Sequence, residues 1–342
     1  MNKQIETLSK IALLLAMPVA LYMLISQTGA RMFWPFMITT YLMAIPVYLY
    51  EVNKRKDGSV DKGLLNYLFS KEIWLHDSAK HDYAIIIINL AMITLFFNAI
   101  VVKPDFFHSF TQALMSLTPV KAGSGENTPS ILVIISYTFV AFAISDLSYY
   151  FAHRIQHKVP WLWEFHKVHH SAKVMTPATL HRAHPIDVWM SVSFRMISLG
   201  IASGVFYYFY PNLEGFMTIL GINAFLIGSY VVGANLRHSH IWLPFGPKAE
   251  HVFMSPAQHQ IHHSEQVKHY DKNFGSFFSL WDWMFGSLYV LRGKESLTFG
   301  LGSKKEEEEL NSVWKLYVRP FQNAFKILTT RPEVIKPNKI DS

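Results

Sequence analysis

The chemistry open to this chain is carried by histidine. Of its 17 histidines, 14 lie between His153 and His269, and it has no cysteine. Disulfides, thiolate metal sites, Cys-ligated iron–sulfur clusters and cysteine nucleophiles are therefore excluded. Three sets have tight spacing: His153 and His157 as HxxxH, His166, His169 and His170 as HxxHH, and His259, His262 and His263 as HxxHH again. Residues three and four apart on a helix are neighbours, with Cβ atoms about 5–6 Å apart. Each set is thus expected to aim its imidazoles at one point.

Imidazole suits zinc, copper, nickel and iron. Eight motif histidines exceed the four ligands that close a structural zinc site and the three of a catalytic one, so two metal ions are expected. Neutral ligands leave net positive charge for nearby carboxylates to offset. Asp146, seven residues before His153 on the same helical face, is the expected carboxylate beside the ligands. Glu164, Asp187, Glu265 and Asp282 are further candidates. His76, His81 and His108 stand alone and receive no role. His181, His240, His251 and His269 lie in the rich region without the motif spacing.

The elements that position these residues follow from composition. The 342 residues are 51% hydrophobic and 15% aromatic, with 16% charged, which points to a membrane protein. The net charge of +7 is spread among apolar segments rather than gathered in a basic patch, so anionic lipid headgroups are a better match than nucleic acid. Six stretches approach the roughly 20 residues needed to cross a hydrocarbon core of about 30 Å: 8–27, 32–50, 83–102, 131–149, 186–208 and 216–234. Pro18, Pro35 and Pro46 can kink the first two, and Arg195 places a charge inside the fifth.

The loop after the second stretch carries Lys54, Arg55, Lys56, Lys62, Lys71 and Lys80, which places it, both termini and the histidine-rich segments in the cytoplasm. The first histidine pair then continues a membrane helix. A second short helix is expected over 161–171 after Pro160. A third is expected over 255–264, with Ser255 as N-cap before Pro256. An interfacial helix is expected near Leu64–Trp74, and Lys304–Glu309 reads as a solvated helix start. The expected fold is an all-α, polytopic transmembrane helical bundle with a cytoplasmic helical cap carrying a histidine-rich di-metal site. Residues 1–130 supply N-terminal spans and a basic loop, 131–300 the catalytic domain and 301–342 a cytoplasmic tail. A polynuclear all-nitrogen site at a membrane surface suits a redox metal using O2 on an unactivated C–H bond, which favours iron.

From Ser136 to about Gly300 the strings Asp146-Leu-Ser-Tyr-Tyr-Phe-Ala-His153-Arg154, Trp163-Glu-Phe-His166-Lys-Val-His169-His170-Ser171, Asn235-Leu-Arg-His238-Ser-His240, Ser255-Pro-Ala-Gln-His259-Gln-Ile-His262-His263-Ser264 and Asn273-Phe-Gly275 leading to Trp281-Asp282-Trp-Met-Phe-Gly286 occur in this order. Together they resemble the fatty acid hydroxylase and sterol desaturase superfamily of integral membrane di-iron oxygenases, in its bacterial sterol desaturase-like branch. The resemblance implies two iron ions on the eight motif histidines, with an additional ligand at His238 and a second candidate at His184. It also implies O2 as co-substrate, a membrane lipid (fatty acyl, alkylglycerol or sterol-type) as substrate and hydroxylation or desaturation as the reaction. No His-Pro-Gly-Gly haem motif is present, so the reductant is external, a ferredoxin or cytochrome b5 type protein with an NAD(P)H reductase. The location implied is the bacterial inner membrane.

Rival readings fit less of the pattern. A zinc hydrolase would want HExxH, whereas the HxxxH here is His153-Arg-Ile-Gln-His157. A metal transporter would place histidines at mid-membrane. A non-catalytic lipid-binding relic would have no need of the boxes.

Overall fold

A computed structural model describes residues 32–54, 63–95, 112–113, 116, 129–213, 215, 217–219 and 222–330. The first expected span lies outside these residues, as does the end of the third. The described chain is mostly helical: α1 (Trp34–Lys54), α2 (Asp77–Leu95), α3 (Ile131–Lys158), α4 (Pro160–His170), α5 (Pro185–Phe209), α6 (Ala224–Val231), α7 (Pro256–His262), α8 (Lys304–Glu309) and α9 (Val313–Thr329), with shorter turns between them. The expected interfacial helix is two short pieces, Leu64–Leu68 and Lys71–Trp74.

Two of the described helices, α3 and α5, are long and apolar enough to cross a membrane. At 28 residues α3 is about 42 Å long, more than the roughly 30 Å of a hydrocarbon core, and His153 and His157 lie in its last two turns. Ser130 caps its start by accepting from Val133 N–H. The buried residues in the second half of α5 are small, Ser198, Gly200, Ala202, Ser203 and Gly204, which leaves room for close packing on more than one side. Hydroxyls lock α5 to α3: Tyr137 Oη and Ser203 Oγ are 2.8 Å apart, and Ser198 Oγ donates to Ser148 Oγ at 3.0 Å.

The expected sixth span, 216–234, is not a continuous helix. A two-stranded hairpin pairs Thr218–Ile219 with Ile222–Asn223, and only the eight residues of α6 follow. That helix is about 12 Å long, too short to cross. Asn223 restarts the helix by accepting from Phe225 and Leu226 N–H, while its amide donates to Thr138 O on α3. Gly233, at φ 90°, then turns the chain into the 3-10 segment Ala234–His238. Apolarity alone did not distinguish a span from a segment that folds back on α3.

The helices after α3 follow their capping signals. α4 begins with Pro160 in its first turn. At α7 Ser255 caps the helix before Pro256, as expected from the sequence, and Gln258 completes a reciprocal capping box. The buried Arg182 guanidinium joins α2 to the end of α4, donating to Asp82 Oδ1 at 2.9 Å and to Ser171 Oγ at 2.9 Å.

Candidate metal centre

Nine histidines converge in two adjacent groups: His153, His157, His166, His170 and His262 in one, and His169, His238, His259 and His263 in the other. Within each group the candidate ligand atoms lie within 4.8 Å of one another. The boxes do not each serve one centre. His166 and His170 join the first group while His169 between them joins the second. His259 and His263 serve the second group and His262 the first. The reason is helical phase: positions four apart differ by about 40° in direction and adjacent positions by about 100°. An HxxHH box on one helix therefore bridges two centres, which brings the His170 and His263 rings to 4.6 Å.

The outer ring nitrogens are held by the protein. His153 Nδ1–H donates to Phe274 O at 2.7 Å, His262 to Lys272 O at 2.8 Å, His169 to Arg182 O at 3.1 Å and His166 to Asp187 Oδ2 at 3.1 Å. With the proton on Nδ1, each Nε2 carries its lone pair inward. Two such lone pairs face each other at 3.1 Å between His153 and His166, and His238 Nε2 lies 3.1 Å from that of His169. With both Nδ1 protons committed, no proton is available to bridge His153 and His166, but a cation between them would satisfy both. His157, His170 and His262 also bury Nε2 atoms with no hydrogen-bond partner. This donor set fits metal ions. Burial pushes His169 down to about 4 and His262 to about 3, and His170, His259 and His263 well below the usual range, so these rings are neutral at pH 7 and ready to ligate.

His184, the tenth candidate, is not brought into either group. It caps α5 by accepting from Ile186 N–H at Nδ1, and its Nε2 donates to Tyr317 O at 3.2 Å. Pro185 fixes it as the residue before a helix, which turns the ring toward α9. Among the other histidines, His240 donates to Tyr67 O, His251 to Pro247 O, and His269 lies 3.2 Å from Glu295.

Asp146 does not touch an imidazole. Its carboxylate accepts from Phe277 N–H and Phe278 N–H, both at 2.9 Å, and from Trp281 Nε1–H at 3.0 Å, and so fastens α3 to the loop over 273–282. Seven residues from His153 along a helix is about 10 Å, too far for a short carboxylate to reach that ring. The carboxylate against the ligands is Asp187, two residues after Pro185, held on its other oxygen by Gln156 Nε2–H at 2.6 Å. Its signal in the sequence was the cluster of polar residues opening an otherwise apolar helix.

The Asn273-Phe-Gly275 string also acquires a reason. Asn273 takes a left-handed φ of 58° and its amide donates to Gln258 O. A Cβ on Gly275 would fall 2.5 Å from Phe278 O, so only glycine fits. Asp282, pushed up to about 6 by burial, accepts from Phe274 N–H, Gly275 N–H and Ser287 Oγ–H. The loop thus held presents the Lys272 and Phe274 carbonyls to His262 and His153. Glu164 and Lys167, buried and 2.7 Å apart, meet Glu306 of α8, so the acidic run over 304–309 packs on the histidine helix and is more than a solvated start.

A cavity of about 230 Å³ lies against His166, His169, His238 and His259 and is walled by Tyr149 of α3 and by Val188, Val192 and Arg195 of α5. A second, of about 360 Å³, reaches His157, His170 and His262 past Trp163, Tyr270 and Asp271. A third, of about 1040 Å³, runs between α1 and the 242–247 loop and touches none of the nine.

These features define a helical protein with a metal-binding histidine box. Residues 138–287 match the fatty acid hydroxylase family model. Through this segment, somewhat under half of its length, the chain is similar to the fatty acid hydroxylase family. It is 26% identical to the ornithine lipid hydroxylase OlsE of Rhizobium tropici, over 48% of this chain and 45% of that protein. It is 23% identical to human alkylglycerol monooxygenase, over 64% and 52%, and 29% identical to human cholesterol 25-hydroxylase, over 48% and 55%. The chain spans about half the length of these curated relatives. No solved structure matches it.

Proposed function

We propose that this chain is a membrane-bound di-iron oxygenase that uses O2 and electrons from a separate donor to hydroxylate, or desaturate, a lipid C–H bond. The observation that carries the reading is the pair of buried histidine groups, within each of which the ring nitrogens converge within 4.8 Å of one another, beside a cavity walled by the two span-length helices. The names of the similar proteins, all enzymes that oxidise lipids, agree with it.

On this reading His153, His157, His166, His170 and His262 hold one iron and His169, His238, His259 and His263 the other. The bound irons supply the activation of O2 that the amino acids lack. The protein's part is positional. Carbonyls of Phe274, Lys272 and Arg182 and the Asp187 carboxylate fix ring tautomers and raise ligand basicity. Leu180, Val188 and Val192 give the cavity beside the site an apolar side against which a lipid chain would rest. The lipid enters between α3 and α5. The chain crosses the bacterial inner membrane as a polytopic bundle, with residues 131–300 as its catalytic unit and the site on the cytoplasmic side, where a ferredoxin or cytochrome b5 type donor with its NAD(P)H reductase delivers electrons.

The test is metal content of detergent-purified protein from iron-replete cells, beside a His262→Ala/His263→Ala variant. About two irons per chain, lost in the variant, support the reading and direct lipid mass spectrometry toward a gain of one oxygen or a loss of two hydrogens. One zinc that survives the double substitution would overturn it.

A further inference from the structure

We infer that α9 is a membrane-surface helix, which lays an apolar stripe into the headgroup region of an anionic leaflet and so sets the depth of the histidine helix α4. Around the axis of α9, at about 100° per residue, Trp314, Phe321, Phe325 and Leu328 fall in one stripe about 60° wide. All four are large, and they are 74%, 52%, 70% and 64% exposed. The buried face is different and consists of Leu316, Pro320 and Ala324. Lys315, Arg319 and Lys326 form a third stripe about 100–140° from Trp314, bordering the exposed apolar one.

An apolar stripe bordered by cations is what a helix lying in a bilayer interface presents: ring and aliphatic groups enter the acyl boundary while Lys and Arg meet phosphates. A second protein surface would match the apolar stripe without requiring the row of cations, and the chain's net charge of +7 has the same sign preference. The position agrees. α4 follows directly from the end of α3 that carries His153 and His157, and α9 packs along α4. Phe321 meets Phe165 at 5.2 Å between ring centroids, Asn323 Nδ2–H donates to Glu164 Oε2 at 2.9 Å, and Tyr317 O accepts from His184. Phe165 and Glu164 stand in the turn before His166, so a force on α9 is transmitted to the metal centre through a few contacts.

The absence of cysteine makes the test direct. Full-length protein carrying Phe325→Cys or Arg319→Cys, each labelled with an environment-sensitive fluorophore, is reconstituted in vesicles of phosphatidylcholine mixed with phosphatidylglycerol. The expected result is that the label at 325 is quenched several-fold more by nitroxide-bearing lipid than by an aqueous quencher, with the order reversed at 319. The 325 label should also become more water-accessible in phosphatidylcholine alone or in high salt. Equal aqueous quenching at both sites would overturn the inference. Shielding of 325 from both quenchers would also overturn it, assigning the stripe to a second copy or a protein partner. Both positions are exposed, so the substitutions leave the core intact. Iron measured on the same samples separates this result from the oxygenase reading.

Discussion

Asp187 Oδ2 lies 3.1 Å from His166 Nδ1, and its other oxygen accepts from Gln156 on α3. One carboxylate at the start of α5 therefore orients a ring on α4 and ties both to α3. Asp187→Asn keeps the shape but removes the charge that makes His166 a strong ligand. We expect a 10–100-fold loss of metal affinity, on the scale typical of groups that orient a ligand. Chelator competition with an unchanged far-ultraviolet circular dichroism spectrum checks this, and unaltered affinity would rule the role out.

His238 and His184 separate ligation from structure. His238→Ala removes one of the four nitrogens of the second group and is expected to lower iron from about two per chain toward one. His184→Ala is expected to retain both irons and to lose stability instead, since its ring bridges the α5 cap and Tyr317 O. Elemental analysis beside thermal unfolding distinguishes them; metal loss in His184→Ala would contradict the assignment.

Arg182 and Asp82 form a buried ion pair at 2.9 Å. Asp82→Ala leaves a buried guanidinium without its carboxylate, a change that typically costs about 3–5 kcal/mol. The variant should unfold well below the wild type in temperature, and because Arg182 O holds His169, it should also release metal more readily.

Stability should depend on pH in a definite direction. His169 and His184 are held down to about 4 and His262 to about 3 by burial, against an ordinary value of 6.5. Below pH 6.5 the unfolded chain binds protons that the folded chain refuses, so stability falls as pH drops from about 6.5 toward 4 and is fully present above 6.5. Denaturation of chelator-treated protein at graded pH tests this without metal competition, and a flat profile across that window would refute it.

Gly275→Ala places a methyl against Phe278 O and Asp282. The loop must shift, and with it the carbonyls that hold His153 and His262. We expect iron retention to fall even though residue 275 ligates nothing, with elemental analysis as the readout.

By itself the sequence marked eight of the nine histidines that the fold gathers. The absence of cysteine and the repeated HxxHH spacing specify an imidazole site whatever the fold, because helical periodicity alone places i and i+4 rings together. The cap at Ser255 and the proline at the start of α4 were equally legible, since caps are local. Tertiary structure decided how the rings are shared. The division of each HxxHH box between two centres depends on which helices face it, and His238 completes one group from the 3-10 segment that follows the expected sixth span. The same holds for the carboxylates. Asp146 and Asp187 both stand near apolar helices, and only the crossing of α3, α4 and α5 sends one to backbone N–H groups and the other to a ligand. Local spacing fixes which atoms can ligate, whereas long-range packing fixes which of them meet.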